Sequence, residues 1–252
     1  MVYVWKNGIE MRINKYIAQS GFCSRRKADE YVLSGKVKVN GEVVTMLGYE
    51  IRVKDKVTID GKLLRADKLE YFKFYKPTGY ITTKSDEKGR KTIYDVLPKE
   101  YHHLNPVGRL DKDSSGLIIM TNDGNLAYEL THPSIKVAKT YIVKVDGKLT
   151  DDELKKLTDG IEIEKDKVAY CDWAILEQTK NDTLFEIILY QGLNRQIRKM
   201  FEFLGHNVIN LKRIRHANID LIGLKKGQIK QIKPRQIKEL KAYLEKIKEI
   251  KE

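Results

Sequence analysis

The chain has 252 residues, 41% of them hydrophobic, which is material for one large domain or for a small and a medium one. Lysine and arginine outnumber aspartate and glutamate by 48 to 35, and a net charge of +13 favours a polyanionic partner, most simply nucleic acid. No apolar run nears the ~20 residues that span a bilayer, no secretory h-region opens the chain, and Cys23 and Cys171 stand alone, so a reduced, cytoplasmic protein with no membrane contact is expected.

Residues 1–10 carry no structural signal. Ile13, Tyr16 and Ile17 share a helical face that stops at Gly21. Ser24 is an N-cap for a second helix with Ala28, Tyr31 and Val32 as its stripe and Gly35 as its stop. Asn40-Gly41 between alternating runs predicts a hairpin, and Asp60-Gly61 a second strand and turn. Arg25, Arg26 and Lys27 occupy the first turn of the second helix, where the helix dipole disfavours each cation by about 0.3–1 kcal/mol. That placement makes sense around an anion, because helix-start amides and cations together bind phosphate. Arg12, Lys15, Lys36 and Lys38 lie close by in sequence. The run Arg12 to Asp29, with Gly35-Lys36-Val37-Lys38-Val39-Asn40-Gly41, resembles the small RNA-binding module of ribosomal protein S-four over residues 11–68.

From residue 69 onward the pattern is that of a larger α+β domain. Tyr71 to Tyr75 reads as a strand broken at Lys76-Pro77-Thr78-Gly79 and resuming over Tyr80 to Thr83. Thr92 to Leu97 reads as a helical turn. His102-His103 has no third ligand nearby, and adjacent residues rarely converge on one ion, so no metal is expected. Gly108 to Gly116 is a charged loop that feeds directly into the apolar run Leu117 to Met120, a buried strand closed by Asn122-Asp123-Gly124. A loop held against a rigid strand positions side chains as a catalytic group requires. A short helix follows over Leu126 to Leu130, then a strand from Lys139 to Val145. Thr150 and Glu153 form a capping box, and Leu184 to Tyr190 is another strand. A helix from Asn194 to Leu204 buries Ile197, Met200, Phe201 and Leu204 and turns Arg195, Arg198, Lys199 and Glu202 the other way. Residues 234–252 form a terminal amphipathic helix around Ile237, Leu240, Leu244 and Ile247.

Neither metal-ligand spacing nor a phosphate-binding G-x-x-x-x-G-K-[ST] loop is present. What remains is a carboxylate, Asp111 or Asp113, near arginines in a basic protein; a neighbouring Arg, most naturally Arg198, favours the ionised form that a nucleophile needs. Gly108-Arg109-Leu110-Asp111-Lys112-Asp113-Ser114-Ser115-Gly116-Leu117 resembles the catalytic motif of RNA pseudouridine synthases. Lys76-Pro77-x-Gly79, Lys139-Thr140-Tyr141 and Asn194 to Met200 resemble their other motifs, in the family's order. With the N-terminal module, the chain is similar to the RsuA/RluB/RluE/RluF family, and Gln191 to Arg198 is most similar to the RluF type, which modifies large-subunit ribosomal RNA. Lys199 departs from the arginine that relatives often carry.

The resemblance implies a small RNA-binding domain over residues 11–68 and, over 69–252, a synthase domain on a mixed, mainly antiparallel sheet flanked by helices. It implies isomerisation of uridine to pseudouridine in ribosomal RNA, most simply large-subunit RNA, free or in an assembling particle. Transfer RNA, small-subunit RNA or a non-catalytic adaptor role are the alternatives. It makes Asp111 the nucleophile, stacks Tyr141 on the uracil, pairs Arg198 with Asp111, and places Arg109, Lys76, Arg195 and Lys199 on the RNA, with Arg12, Lys15, Arg25, Arg26 and Lys27 from the N-terminal module. The reaction adds and removes nothing, so no cofactor is expected, and a monomer suffices.

Overall fold

The computed structural model describes residues 11–249, and the chain divides into two compact units between Leu69 and Glu70. The first unit runs β1 (Met11–Arg12), α1 (Ile13–Gln19), α2 (Arg25–Leu33), β2 (Val37–Val39), β3 (Glu42–Val43), β4 (Glu50–Ile51), β5 (Val57–Ile59) and β6 (Lys62–Leu63). An antiparallel sheet in the order β3-β2-β5-β6 carries the unit, and β1 pairs with β4. Both expected turns form. Asn40 and Gly41 have φ of 53° and 94°, and Asp60 and Gly61 48° and 77°, the left-handed pairs that a tight hairpin turn needs. Ile13 and Ile17 of α1 and Ala28 and Val32 of α2 are buried against Val37, Val39, Val57 and Ile59. Ser24 caps α2 by accepting from the Lys27 amide at 3.3 Å.

The second unit runs β7 (Tyr71–Lys76), β8 (Asn105–Pro106), β9 (Ser115–Thr121), α3 (Gly124–Thr131), β10 (Lys139–Asp146), α4 (Asp151–Asp159), β11 (Ile161–Glu164), β12 (Lys167–Ala169), β13 (Asp172–Gln178), β14 (Asp182–Leu189), α5 (Gln196–Phe203), β15 (Val208–His216), β16 (Ile219–Asp220), β17 (Ile229–Gln231) and α6 (Pro234–Glu249). A nine-stranded sheet runs in the order β13-β14-β10-β15-β9-β7-β17, with β8 on β9 and β16 on β15. Its ladders are antiparallel except β9–β15, which is parallel. The mixed, mainly antiparallel α+β architecture is the one the resemblance implied.

The central strand β9 is buried along its whole length and feeds two cores. Leu117 and Ile119 pack with Leu126 and Leu130 of α3 and Ile237, Leu240 and Leu244 of α6. Ile118 and Met120 face the other way, onto the core of Phe72, Phe74, Met200 of α5 and Leu154 of α4. Full burial of each such aliphatic side chain stabilises by about 1.5–3 kcal/mol. The capping box of α4 forms as expected, with the Thr150 amide donating to Glu153 at 2.8 Å and the Glu153 amide to the Thr150 hydroxyl at 3.4 Å.

Three local expectations change. The strand expected over Tyr80 to Thr83 reduces to a single bridge between Ile81 and Thr92. Thr82 instead spends its hydroxyl on Leu110, donating to its carbonyl at 2.8 Å and accepting from its amide at 3.2 Å. The helical turn after Thr92 is a short 3-10 turn at Ile93–Asp95, closed by a Thr92–Asp95 capping box. The helix expected from Asn194 begins at Gln196, because Arg195 adopts a left-handed φ of 51°.

Gly116 sits where β9 meets β15, paired with Arg213. Its φ is +119°, and a Cβ there would lie 2.2 Å from the Arg213 carbonyl oxygen. Gly116→Ala is expected to destabilise the unit by about 2 kcal/mol or more, from combined strain and overlap. Urea unfolding of the variant beside wild type measures it.

Candidate active site

The charged loop between β8 and β9 forms one wall of a cleft of about 930 Å³, and β10, the Gln191–Ile197 segment and β15 supply much of the rest. The loop is a turn, closed by the Ser114 amide on the Asp111 carbonyl at 3.1 Å. It is fastened from beneath by Lys76. That side chain is fully buried, and its ammonium donates to the carbonyls of Pro77 at 3.1 Å, Asp111 at 2.9 Å and Ser114 at 2.7 Å. The Gly79 amide adds a bond to the Lys112 carbonyl at 2.7 Å. The Lys76-Pro77-x-Gly79 motif is therefore the clamp of the loop. This corrects the expectation that Lys76 meets RNA: with three carbonyls around its ammonium and no exposure, it has no face to offer a ligand. Burial pushes its value down to about 8, against the pull of the Asp111 and Asp113 charges.

Asp111 lines the cleft with its side chain one-third exposed (33%). The nearest guanidinium is that of Arg195, at 3.9 Å. Arg195 also donates to both Asp113 carboxylate oxygens, at 3.2 and 3.3 Å. Its left-handed backbone swings it off the start of α5 toward the loop; such strain at a non-glycine costs on the order of 1–3 kcal/mol and clusters at functional sites. Arg198, on α5 itself, lies 3.2 Å from the Asp113 carboxylate and donates to the carbonyls of Asp113 and Val208, each at 3.1 Å. The expected Arg198–Asp111 pair is thus not the observed one. The turn at 111–114 projects Asp113 toward α5, and Asp113 takes Arg198 while Arg195 reaches nearer Asp111. Burial, aided by Arg195 and opposed by Asp113, lowers the Arg198 value, but a guanidinium stays charged throughout the working range.

Tyr141 is buried on β10 and lines the same cleft, as does the exposed Arg109. Lys199 does not: its ammonium pairs with Glu164 of β11, whose carboxyl is held at about 2 by hydrogen bonds from Lys167 and Lys199. In the first unit, Arg12, Arg25, Arg26 and Lys27 are exposed and Lys15 is half-buried. Lys27 also pairs with Glu30 at 2.6 Å.

Sequence reasoning missed β15 altogether, and with it Arg213 and His216 of the cleft. The alternation Leu211, Arg213 was the available signal, masked because charged residues stand where a central strand ordinarily carries aliphatic ones. Thr82, which ties Leu110 in place, carries in the sequence no signal beyond that of a strand residue. Among the described residues, no group of three or more His, Cys, Asp or Glu side chains is placed to hold a metal ion, and no helix is long and apolar enough to cross a membrane.

Residues 70–203 match the RNA pseudouridylate synthase family and residues 11–57 the S4 domain, and the chain belongs to that synthase family. It is 41% identical over 92% of its length to the ribosomal large subunit pseudouridine synthase B of Bacillus subtilis, covering 96% of that protein. It is 34% identical to an uncharacterized RNA pseudouridine synthase of Mycobacterium tuberculosis, over 91% of this chain and 92% of the relative. The crystal structure of a pseudouridylate synthase superposes with a TM-score of 0.66 at 26% identity, over 91% of this chain and 99% of that one. The Bacillus relative is of type B, whereas Gln191 to Arg198 resembles the RluF type; both belong to the family shown.

Two outcomes follow from the Lys76 clamp. Lys76→Met orphans three carbonyls, two of them in the loop, so kcat is expected to fall about tenfold or more, about the worth of a charge-assisted hydrogen bond, while RNA affinity stays within about twofold. Steady-state kinetics beside an RNA-binding titration separates this from an RNA-contact role, which would raise Kd instead. The lysine's proton also links stability to pH. With a folded value of about 8 against 10.5, the native chain releases this proton while the unfolded chain still holds it, so its term makes stability rise as pH climbs through that window. Urea midpoints on either side of the window are expected to differ less in Lys76→Met than in wild type.

Proposed function

We propose that the chain isomerises uridine to pseudouridine in large-subunit ribosomal RNA, with Asp111 as nucleophile. The carrying observation is the Asp111 carboxylate, partly open to the cleft, beside Arg195 and held at its backbone by Lys76. The target base must leave its stack to reach such a cleft, at a cost of a few kcal/mol. The glycosidic bond from ribose C1′ to N1 breaks, the uracil turns within the cleft, and a bond from C5 to C1′ forms. The proton on C5 leaves and N1 gains one, so the reaction balances without a cofactor. Tyr141 packs against the uracil, and Arg195 and Arg198 keep Asp113 and the loop in place while Arg195 stands 3.9 Å from the Asp111 carboxylate. Arg109 stands at the cleft to meet the backbone of the extruded nucleotide.

The choice of large-subunit RNA rests on the Bacillus subtilis relative, named for that substrate, and on the likeness of Gln191 to Arg198 to the RluF type. Arg12, Lys15, Arg25, Arg26 and Lys27 are the RNA contacts of the N-terminal unit, which extends over residues 11–68 and leaves 69–252 as the catalytic domain.

Tritium release from RNA labelled at uracil C5 tests the reaction. Wild type is expected to release tritium from large-subunit RNA and not from small-subunit or transfer RNA, and Asp111→Asn from none while still binding. Release by Asp111→Asn would remove the nucleophile from this reading. For the N-terminal unit, Arg25→Glu with Arg26→Glu is expected to weaken RNA binding and flatten its salt dependence by about 0.7–0.9 in log–log slope per lost phosphate contact. An unchanged slope takes these arginines off the RNA.

A further inference from the structure

Beside Tyr141, the cleft holds basic side chains that the reaction as described does not use. Across β10 and β15, Tyr141 pairs with Arg213 and Lys139 with His216, and all four line the cleft. Directly opposed residues on neighbouring strands share a face, so Arg213 stands next to the ring that meets the base. Arg213 is only 2% exposed. Its Nε donates to the Leu117 carbonyl at 2.8 Å, and its Nη2 is buried without a hydrogen-bond partner. Lys139 gives one bond, to the Val137 carbonyl at 3.1 Å. His216 is fully buried with Nε2 facing the Leu130 carbonyl at 3.2 Å, which places its proton there.

No carboxylate among the described residues offsets this charge. The acids of the cleft are already engaged: Asp86 by Arg90, Asp113 by Arg195 and Arg198, and Asp111 lies nearest Arg195. The crowding is felt in the titration of the group. Burial and Arg213 push Lys139 down to about 8, and burial with the charges of Arg213 and Lys139 drives His216 well below its ordinary value, so it adds no third charge. Uncompensated cations out of water are costly, and a fold that keeps a buried guanidinium and a half-buried ammonium together in an open cleft is arranged for an anion that arrives with the ligand. Uracil enters neutral. The backbone of an RNA brings a phosphodiester, a full negative charge with two non-bridging oxygens that suit an ammonium and a guanidinium together.

We propose that Lys139 and Arg213 form an anion pocket that takes a phosphodiester adjoining the extruded uridine, so that the nucleotide is gripped by its backbone while Tyr141 receives its base. The proposal rests on the reading that an RNA nucleotide enters this cleft.

The test uses the full-length protein and a ribosomal RNA fragment that wild type converts, with a single neutral methylphosphonate placed 5′ or 3′ of the target uridine. One of the two placements is expected to raise KM about tenfold, the equivalent of one charge-assisted hydrogen bond. Lys139→Met on ordinary RNA is expected to match that rise and to add little on the methylphosphonate RNA, because both remove the same contact. Arg213→Lys serves where a larger change at this buried position prevents folding. Losses that multiply independently, or a fall in kcat with KM unchanged, would overturn the proposal, the latter pointing to charge on the uracil instead. If wild type converts no ribosomal RNA fragment, the reading of the reaction fails, and inorganic phosphate decides the pocket. It is then expected to raise the Tm of wild type more than that of Lys139→Met, and equal rises would overturn the pocket as well.

Discussion

The Lys76 ammonium lies beneath the charged loop with three backbone carbonyls around it, and the geometry of the site depends on that contact. Burying an ammonium is tolerable only where its donors are satisfied, and here the acceptors are the carbonyls of Pro77, Asp111 and Ser114. Two of these belong to the turn that carries the candidate nucleophile. The same bonds that make the lysine tenable hold the Asp111 backbone in place. Lys76 ends β7, whose ladder to β9 pairs it with Gly116, so the clamp and the loop's exit share one register. The loop is thus rigid because it rests on the central strand, and the strand is rigid because its alternate residues fill both cores.

Charge is distributed across the cleft with a corresponding asymmetry. On the loop side, carboxylates and guanidiniums are matched, with Asp113 shared between Arg195 and Arg198 and Asp111 beside Arg195. On the strand side, Lys139 and Arg213 face the same space without an acid. A neutral base and a charged backbone enter together when a nucleotide is extruded, and the two sides of the cleft suit those two parts. The left-handed turn at Arg195 is what lets one helix start serve both carboxylates, because a helical Arg195 would point along the helix face with Lys199.

Local patterns carried much of the architecture. The hairpins at Asn40-Gly41 and Asp60-Gly61, the Ser24 cap, the Thr150–Glu153 capping box and the buried run Leu117 to Met120 all follow from short-range stereochemistry, which acts over a few residues and is therefore written in consecutive ones. The strand Val208–His216 was illegible because five of its residues, Asn210, Lys212, Arg213, Arg215 and His216, carry polar or charged side chains, and a central strand reveals itself by apolar ones.

From the sequence alone came the family, by resemblance, and the chemistry-bearing loop, because a charged Gly-bounded segment entering a buried strand is a local signal. Which cation serves which carbonyl or carboxylate was settled only by the tertiary structure. Lys76, Lys199, Arg195 and Arg198 look alike as basic residues within their motifs. Long-range packing sends the first under the loop, the second to Glu164, the third between Asp113 and Asp111 and the fourth to Asp113. These partners lie tens of residues away in sequence, and the energy of an ion pair or a buried hydrogen bond depends on distance and burial, quantities that exist only once the sheet has closed.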